Sequence, residues 1–566
     1  MLYCCTVCDI RSLCFYPPLA TFDQTCERVP RSTSGPWCTH NVAGADLSRI
    51  DTSTNDIRKD ARAAINDHVE KLRRLSSSGS DDGDDAGEDR EHHLKSECVE
   101  ALSSLAGLCR EPGDAGEANR MAVGEAGGVG VVASFLKIEE EGSSTPRGAS
   151  VVKAALSAVH DVCRNTEPNR DAFIYTNMDQ LTSLLLRWTD SVEADGAPCS
   201  PKVGDEDVRN DAAGDSTTLN DADRVTLVVA GLKVVKVVCT KAENNKVFFM
   251  RRQGARVLTA SLRRYGAGES RNAVVTKEAC GALRSVTLRD DRRQDFSGVY
   301  DNVKSLVSAG VIPLLLDAAR AFEQESTTLA LVYLALKQLA VNNESVKLIV
   351  ENGGLELVSE ALERFPLEVV VCRTGLSLFR NISANDVLKT KLVQEGGLRL
   401  VLGCMSQHKD DKTLQENGCA TMAAMALRSP PNAAVIVQEG GIGAMLEAMR
   451  RHSSAQGLQR QACLCIRNIA ARSPALRSGM LDEGCEAALR EAGKLRGCVD
   501  EAYGALRDLQ CEVGLVTMGE TGKVQVGVKA FGEEKPNFDT SVQETKALGE
   551  RITGAATAPA HSGHRL

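Results

Sequence analysis

The chain has few aromatic residues, no long apolar run and no strongly basic stretch. Aromatic side chains make up 4% of the 566 residues, and Trp occurs only at Trp37 and Trp188. No segment approaches the roughly 18 uninterrupted apolar residues that a membrane-spanning helix needs. The net charge is −9, and no stretch is basic enough to indicate a nucleic-acid surface. We therefore expect neither a membrane protein nor a nucleic-acid-binding protein.

The twenty cysteines do not have the pattern of a disulfide framework. Fourteen, from Cys98 to Cys511, lie mostly within or beside apolar helical segments such as QACLCIRNIA, where Cys acts as a small buried hydrophobic residue. The other six crowd the first 40 residues with irregular spacing and no fixed pairing with His, which argues against zinc. Without a signal-peptide pattern, we expect a reducing compartment: the cytoplasm, with the nucleus open as a second location.

A glycine closing a short apolar run recurs at a fixed interval, as in KLIVENGGLELV and AVIVQEGGIGAM. The positions, 43 or 44 residues apart, are Gly354, Gly397, Gly441 and Gly484. Toward the N-terminus, with longer insertions, the same place is taken by Gly310, Gly254, Asn177 and Gly128. A period in the low forties with helical patterning predicts stacked helical repeats. We expect an all-α fold, a right-handed α-solenoid of about eight three-helix repeats.

The third helix of each unit carries the clearest pattern, with apolar or small residues at spacing 4, 3, 4. Four examples are Val151, Ala155, Ala158 and Val162; Val275, Ala279, Ala282 and Val286; Val371, Gly375, Leu378 and Ile382; and Leu458, Ala462, Cys465 and Ile469. This spacing places four residues on one helix face, which predicts a core stripe. The second place is Ala or Gly, so that neighbouring helices can approach.

Composition divides the chain into four regions. Residues 1–55 lack periodicity and are predicted to be a disordered N-terminal region, with a targeting peptide or a gene-model artefact in the first 40 residues as open alternatives. Residues 56–91 comprise an amphipathic helix and an acidic linker, and the repeats occupy 92–512. Within the repeats, the acidic residues 190–223 are predicted to be a disordered insertion. Residues 513–566 are predicted to be a mostly disordered C-terminal tail.

Several segments resemble the armadillo repeat-containing protein 6 family. These are KEACGALRSVTLRDDRR (277–293), MALRSPPNAAVIVQEGGIGAMLEAM (425–449), RQACLCIRNIAARS (460–473) and GALRDLQCEVGL (504–515). The similarity covers about 275–515 well and extends weakly to about residue 95. It implies an armadillo-repeat α-solenoid that acts as an interaction scaffold, and that family offers no catalytic activity to inherit.

Armadillo arrays bind ligands across their third helices, along a concave groove. Alignment of these helices predicts a polar ladder at Asp161, Ser285, Gln338, Asn381, Ala424, Asn468 and Asp508. Side-chain amides offer both a donor and an acceptor to a ligand backbone. The alternative is that these amides satisfy local carbonyls. Importin-type armadillo proteins place Trp one turn earlier, and this chain has no Trp there, which argues against nuclear-import cargo binding by that mechanism.

One residue before the polar ladder lies a row of cations that we call the basic file. It comprises His160, Arg284, Lys337, Arg380, Arg467 and Arg507, and it is broken at Ala423. Arg presents a planar fork that suits carboxylate or phosphate. The file predicts one wall of a groove that prefers an acidic, extended protein segment. The alternative is structural salt bridging, for example between Arg284 and Asp290 or Asp291.

No residues in the sequence form a candidate catalytic, cofactor or metal site. GETGKV at 519–524 ends like a phosphate-binding loop, but Thr517 stands where that motif requires Gly and Val524 where it requires Ser or Thr. We therefore expect no enzyme and no cofactor. The sequence predicts a monomeric scaffold that binds protein partners through its groove. The alternative is an assembly factor or chaperone-like partner that uses its convex face or loops.

Overall fold

The computed structural model describes residues 48–77, 88–136, 148–189, 219–291, 293, 297–518 and 524–528. These residues form α-helices that stack in eight consecutive repeats, followed by one antiparallel pair of strands. The predicted all-α solenoid is therefore confirmed. One hydrophobic core runs without interruption from Ile65 to Val513.

Each repeat contributes a first, a second and a third helix. The first helices are α3 (Gly113–Glu125), α8 (Glu243–Phe249), α11 (Val299–Ser308), α14 (Asn343–Glu351), α17 (Asp386–Gln394), α20 (Pro430–Gln438) and α23 (Arg477–Asp482). The second helices are α4 (Gly128–Ser134), α9 (Ala255–Tyr265), α12 (Val311–Ala321), α15 (Gly354–Arg364), α18 (Gly397–Gln407), α21 (Gly441–Arg451) and α24 (Cys485–Ala492). In the second repeat one helix, α6 (Glu167–Thr189), replaces both.

The third helices form one continuous row. They are α5 (Ala149–Cys163), α7 (Asp221–Cys239), α10 (Ala273–Thr287), α13 (Ser326–Leu339), α16 (Val369–Ile382), α19 (Lys412–Ala426), α22 (Gln456–Ala470) and α25 (Val499–Asp508), preceded by the equivalent α2 (Glu88–Arg110). Each packs against the third helix before and after it. Their predicted stripes are buried throughout the core, as the 4-3-4 spacing requires. We call the solvent side of this row the third-helix face.

The small residue in the stripe makes room for the second helix of the same repeat. A Cβ on Gly375 would lie 2.8 Å from Cδ2 of Leu362 in α15. On Gly418 it would lie 2.4 Å from Sδ of Met405 in α18. Separations under 3.0 Å are too close for carbon, so these glycines allow the last turn of the second helix to pack directly on the third.

The glycine pair between first and second helices serves two purposes, which the repeat between α20 and α21 illustrates. Gly440 has φ of 81°, in the left-handed region that ends α20. Gly441 begins α21, and a Cβ there would lie 2.8 Å from the carbonyl oxygen of Ile436. The first glycine therefore allows a backbone conformation, whereas the second allows a close approach.

Three turns depart from the predicted register. Gly310 and Gly484 have φ of 78° and 97°, so they match the first glycine of the pair rather than the second. Asn177, predicted to hold the turn of the second repeat, lies inside the continuous helix α6. The turn at Gly254 keeps its register: Gln253 before it takes the left-handed conformation, with φ of 62°, at the kink that separates α8 from α9.

Asparagines of the first helices hold successive elements together. The side-chain amide of Asn169 donates to the carbonyl of Val162 at 2.9 Å, and that of Asn432 donates to Met425 at 3.2 Å. Equivalent bonds come from Asn119, Asn245 and Asn302. Because the last carbonyls of a helix lack intrahelical partners, these amides satisfy the end of the preceding third helix.

The N-terminal boundaries differ from the prediction. Helix α1 (Ser48–Ser77) begins inside the region 1–55 predicted to be disordered, and α2 begins at Glu88 within the predicted acidic linker. Ile65, Val69 and Leu72 of α1 are buried against the following helices. The amphipathic helix therefore covers the N-terminal end of the solenoid core instead of standing apart from it. Residues 1–47 lie outside the described residues.

The bounds predicted for the acidic insertion and for the C-terminal tail also differ from those in the structure. Most of 190–223 lies outside the described residues, but α7 begins at Asp221, where the side chain of Asn220 accepts a hydrogen bond from the Asp223 amide. In the predicted tail, β1 (Gly514–Met518) pairs antiparallel with β2 (Val524–Val528). This hairpin was not predicted from the sequence, and residues 529–566 lie outside the described part of the chain.

Candidate protein-binding groove

The third-helix face brings the polar ladder and the basic file of successive repeats next to one another. Both sets lie near the C-terminal ends of third helices, and these helices are stacked side by side. A side chain at this position can therefore reach the neighbouring helix as well as solvent. Many of the predicted residues do so.

The two ladder asparagines hydrogen-bond to the preceding third helix. Asn381 Nδ2 donates to the carbonyls of Lys337 at 3.1 Å and Ala340 at 3.2 Å, and Asn468 Nδ2 donates to Ala423 at 2.9 Å. The alternative of local carbonyl satisfaction thus holds for the donor side of each amide. The amide oxygen is the part of each side chain that suits a ligand N–H.

The remaining ladder residues do not form a uniform row. Ser285 is buried, and its hydroxyl donates to the Ala282 carbonyl at 2.7 Å. Gln338 is half-buried. Asp508 accepts from Arg467 Nε at 3.3 Å, and so it is neutralised within the protein. Of the ladder residues, the two asparagines keep an amide oxygen for which no hydrogen bond is described above.

Asp161 forms a charged cluster at the N-terminal end of the ladder. Its carboxylate accepts from Arg110 Nε of α2 at 2.6 Å and contacts His160 Nδ1 at 3.0 Å. Burial acts to raise the pKa of Asp161, but the hydrogen bonds with His160 and Arg110 outweigh burial and hold this pKa below its ordinary value. Asp161 thus joins α2 to α5.

Some residues of the basic file form ion pairs within the protein. Arg467 and Arg507 both contact Asp508, the latter through Nη2 at 2.8 Å. The Arg284 bridge foreseen as an alternative is not formed among the described residues. Its two proposed partners are taken by Lys246 and Arg293: Asp290 by Lys246, Asp291 by Arg293.

Arg284 itself is unusual within the file. Its Nε is buried and has no hydrogen-bond partner among the described groups. Burial lowers the pKa of Arg284, and the nearby carboxylate of Asp290 opposes that change. The side chain is therefore a constrained cation beside the polar ladder.

The basic file has one further member, Lys236 in α7, which was not predicted from the sequence. Lys236 donates from Nζ to Glu278 of α10 at 3.0 Å, and its stem lies over Gly281, where an added Cβ would be 3.1 Å from Cδ. Arg467 lies over Gly504 in the same way. These glycines occupy places where importin-type arrays have Trp. The stripe Leu227, Gly231, Val234 and Val238 is the signal that could have located α7.

Two adjacent third helices in the middle of the row carry cations and no acidic residue. Neither α13 (STTLALVYLALKQL) nor α16 (VVVCRTGLSLFRNI) contains an acidic residue, whereas together they carry Lys337, Arg373 and Arg380. Arg373 donates from Nε to Asp411 at 2.9 Å, at the start of the next third helix. Lys337 and Arg380 are half-buried on adjacent helices. We call α13 and α16 the central segment of the third-helix face.

The described residues contain no group of three or more His, Cys, Asp or Glu side chains that could hold a metal ion. No described helix is by itself long and apolar enough to span a membrane, although α11 and α12, bent by 72°, pass on length and composition when combined.

Comparison with known proteins agrees with the repeat architecture. The ARMC6 family model matches residues 216–525, which is more than half of the chain. Armadillo repeat-containing protein 6 of Pongo abelii is 33% identical over 130 residues, and that of Homo sapiens is 32% identical over 130 residues. Each alignment covers 23% of this chain and only 25% of the relative.

A structural neighbour supports the fold alone. A crystal structure of an engineered protein matches 78% of this chain and 98% of its own, with a TM-score of 0.52 and 18% sequence identity. At that identity the likeness indicates a shared solenoid architecture and no shared ligand.

Proposed function

This chain belongs to the ARMC6 family of armadillo-repeat proteins, and we propose that it is a non-catalytic scaffold that binds partner proteins on its third-helix face. The observation that carries the proposal is the continuous row of third helices with an acid-free central segment. Stacked repeats create an extended surface of this kind, which suits a long ligand better than a compact one.

The preferred ligand is an extended segment with acidic side chains. Its backbone N–H groups would bond to the amide oxygens of Asn381 and Asn468, whose nitrogens already bond to the protein. Its carboxylates would lie beside Lys337 and Arg380. At the C-terminal end of the groove, Arg467 and Arg507 contact Asp508, and this carboxylate would repel an acidic ligand.

The test is the affinity of a labelled, acidic, extended peptide, measured by fluorescence anisotropy. The variant Lys337→Glu/Arg380→Glu reverses two charges of the central segment. The matched control Arg399→Glu/Lys494→Glu makes the same change in net charge at two exposed sites away from the third-helix face. Circular dichroism of both variants checks whether their helices are retained.

We expect the central variant to weaken binding at least tenfold. Each exposed ion pair contributes about 0.2–1 kcal/mol, and reversal adds repulsion to the lost attraction, so two reversals give about 1.4 kcal/mol. The control should change the affinity by less than about threefold, and added salt should weaken wild-type binding. Equal losses in both variants would show that net charge, and not the third-helix face, attracts the peptide.

A further inference from the structure

An aromatic pair and an arginine meet where the second repeat packs against the third, and none of them belongs to a third helix. Tyr175 of α6 packs edge-on against Phe248 of α8, with ring centroids 5.7 Å apart and the ring planes at 74°. The guanidinium carbon of Arg252 lies 5.2 Å from the centroid of the Phe248 ring, a cation–π contact. Phe248 is half-buried against the core, whereas Tyr175 is 62% exposed. These contacts hold an aromatic surface in place at the solvent boundary.

The chain around Phe248 is rich in positive charge. From Asn244 to Gly268 it has six cationic residues and no acidic one. Arg251 and Arg256, on either side of Arg252 in the sequence, are both exposed. Arg252 Nη1 lies 3.3 Å from Asp179 Oδ2 of α6, an ion pair whose side chains are 50% and 60% exposed. We define the aromatic–arginine patch as Tyr175, Phe248, Arg251, Arg252 and Arg256.

The turn within the patch has a side chain where the equivalent turns have none. In six repeats the left-handed residue before the second helix is glycine: Gly127, Gly310, Gly353, Gly396, Gly440 and Gly484. In the third repeat this residue is Gln253, with φ of 62°, a conformation that residues other than glycine rarely adopt. Gln253 Oε1 accepts a hydrogen bond from Arg256 Nη1 at 3.3 Å, so this side chain positions an arginine of the patch. Strained backbone of this kind is found preferentially at ligand-binding sites.

We propose that the aromatic–arginine patch, with Gln253 as a positioning residue, is a second protein-docking site for a partner segment that carries an apolar side chain beside carboxylates. The apolar side chain packs on the exposed ring of Tyr175, and the carboxylates pair with Arg251 and Arg252. Tyr and Arg around a partly buried aromatic ring are the residues that dominate binding energy in protein interfaces. The patch shares no residue with the third-helix face, so the proposal does not depend on the function proposed above.

The charge and the size of the patch favour this partner over a nucleic acid. Arg252 already contacts the carboxylate of Asp179, and an exposed ion pair contributes little stability, so a partner carboxylate can replace Asp179 at small cost. The patch offers three arginines, whereas proteins that bind DNA tightly neutralise roughly 6–10 phosphates. An apolar centre flanked by a few cations matches a short amphipathic protein segment.

The test uses a fluorescein-labelled synthetic peptide with a central Phe between two pairs of Glu. It is titrated with the full-length protein and followed by fluorescence anisotropy, in the Lys337→Glu/Arg380→Glu background so that the third-helix face does not contribute. We expect saturable binding, weakened at least about fivefold by Tyr175→Ala and at least about tenfold by Arg251→Glu/Arg252→Glu. A peptide with Ser in place of Phe should bind at least about fivefold less tightly.

Tyr300→Ala is the matched control for the aromatic change, because Tyr300 of α11 is 63% exposed and lies outside the patch. Arg399→Glu/Lys494→Glu is the control for the charge reversal. Each control should change the affinity by less than about twofold, and circular dichroism checks the fold of every variant. The proposal is overturned by equal losses in Tyr175→Ala and Tyr300→Ala, by no saturable binding up to about 0.1 mM protein, or by tighter binding of a labelled single-stranded oligonucleotide than of the peptide.

Gln253→Gly tests the turn without removing a residue that contacts the partner. Glycine adopts the left-handed conformation without strain, so the melting temperature should rise. Arg256 loses its hydrogen-bond acceptor, so peptide affinity should fall at least about threefold. A higher melting temperature with unchanged affinity would contradict the positioning role of Gln253, and this variant keeps the proposal testable even if Tyr175→Ala folds poorly.

Discussion

The two glycines between α20 and α21 should respond to alanine by different mechanisms. No heavy atom lies within 4 Å of a Cβ built on Gly440, so Gly440→Ala tests the left-handed backbone alone. That conformation costs a non-glycine residue about 1–2 kcal/mol, and the stiffer unfolded chain offsets about 0.4–1 kcal/mol. We expect a net loss of about 1 kcal/mol.

Gly441→Ala should cost more, although its φ is ordinary. The new Cβ would lie 2.6 Å from Ile436 Cγ2 and 2.8 Å from the Ile436 carbonyl oxygen, and a backbone oxygen within a helix cannot turn away. Overpacking of this kind costs about 1–3 kcal/mol. Urea unfolding followed by circular dichroism measures both losses.

Gly403→Ala is the matched control. Gly403 is exposed in the interior of α18, and a Cβ there meets nothing within 4 Å. Alanine should stabilise this helix by about 0.5–1 kcal/mol. If Gly440→Ala were equally stabilising, the left-handed turn would not be the reason for glycine at that position.

The other predictions concern charges. Lys246 is fully buried between Glu243 and Asp290. Lys246→Ala leaves these two buried carboxylates without their cation, so it should lower the free energy of unfolding by about 3–5 kcal/mol. Lys389→Ala, whose partner Asp386 is 56% exposed, should cost clearly less in the same urea experiment, and equal losses would contradict this reasoning. For Asp161, the folded-state pKa is below its ordinary value, so its stabilising effect is complete above the unfolded pKa and is lost as pH falls through the folded pKa. The stability advantage of wild type over Asp161→Asn should therefore narrow below about pH 4, whereas a constant difference would assign Asp161 a role independent of its charge.

The sequence predicted the repeats where their physical requirements recur. A left-handed turn followed by a close approach demands Gly-Gly, and a stripe at 4-3-4 spacing marks the buried face of each third helix. The second repeat was misjudged because α6 is continuous through Asn177 and has no such turn. Helix α7 (DADRVTLVVAGLKVVKVVC) is apolar on most faces, so its stripe did not stand out.

The partners of the groove residues could not be predicted in the same way. Arg110 meets Asp161 across 51 positions, whereas Lys236 meets Glu278 across 42 and Arg467 meets Asp508 across 41. These pairings depend on the length of each insertion and on the stagger between neighbouring helices, which periodicity does not specify. The Arg284 bridge that the sequence offered as an alternative does not form, because Lys246 of α8 contacts Asp290 instead.

The position of a bound ligand tests the central claim most directly. An acidic, extended peptide with a photoreactive benzophenone at its centre is bound to the full-length protein. The complex is then irradiated, and the cross-linked residues of the protein are mapped by mass spectrometry. If the third-helix face is the binding surface, cross-links will lie on α13 and α16 and on the neighbouring third helices. Cross-links concentrated on the second helices α15 and α18, at the same peptide concentration, would contradict the account.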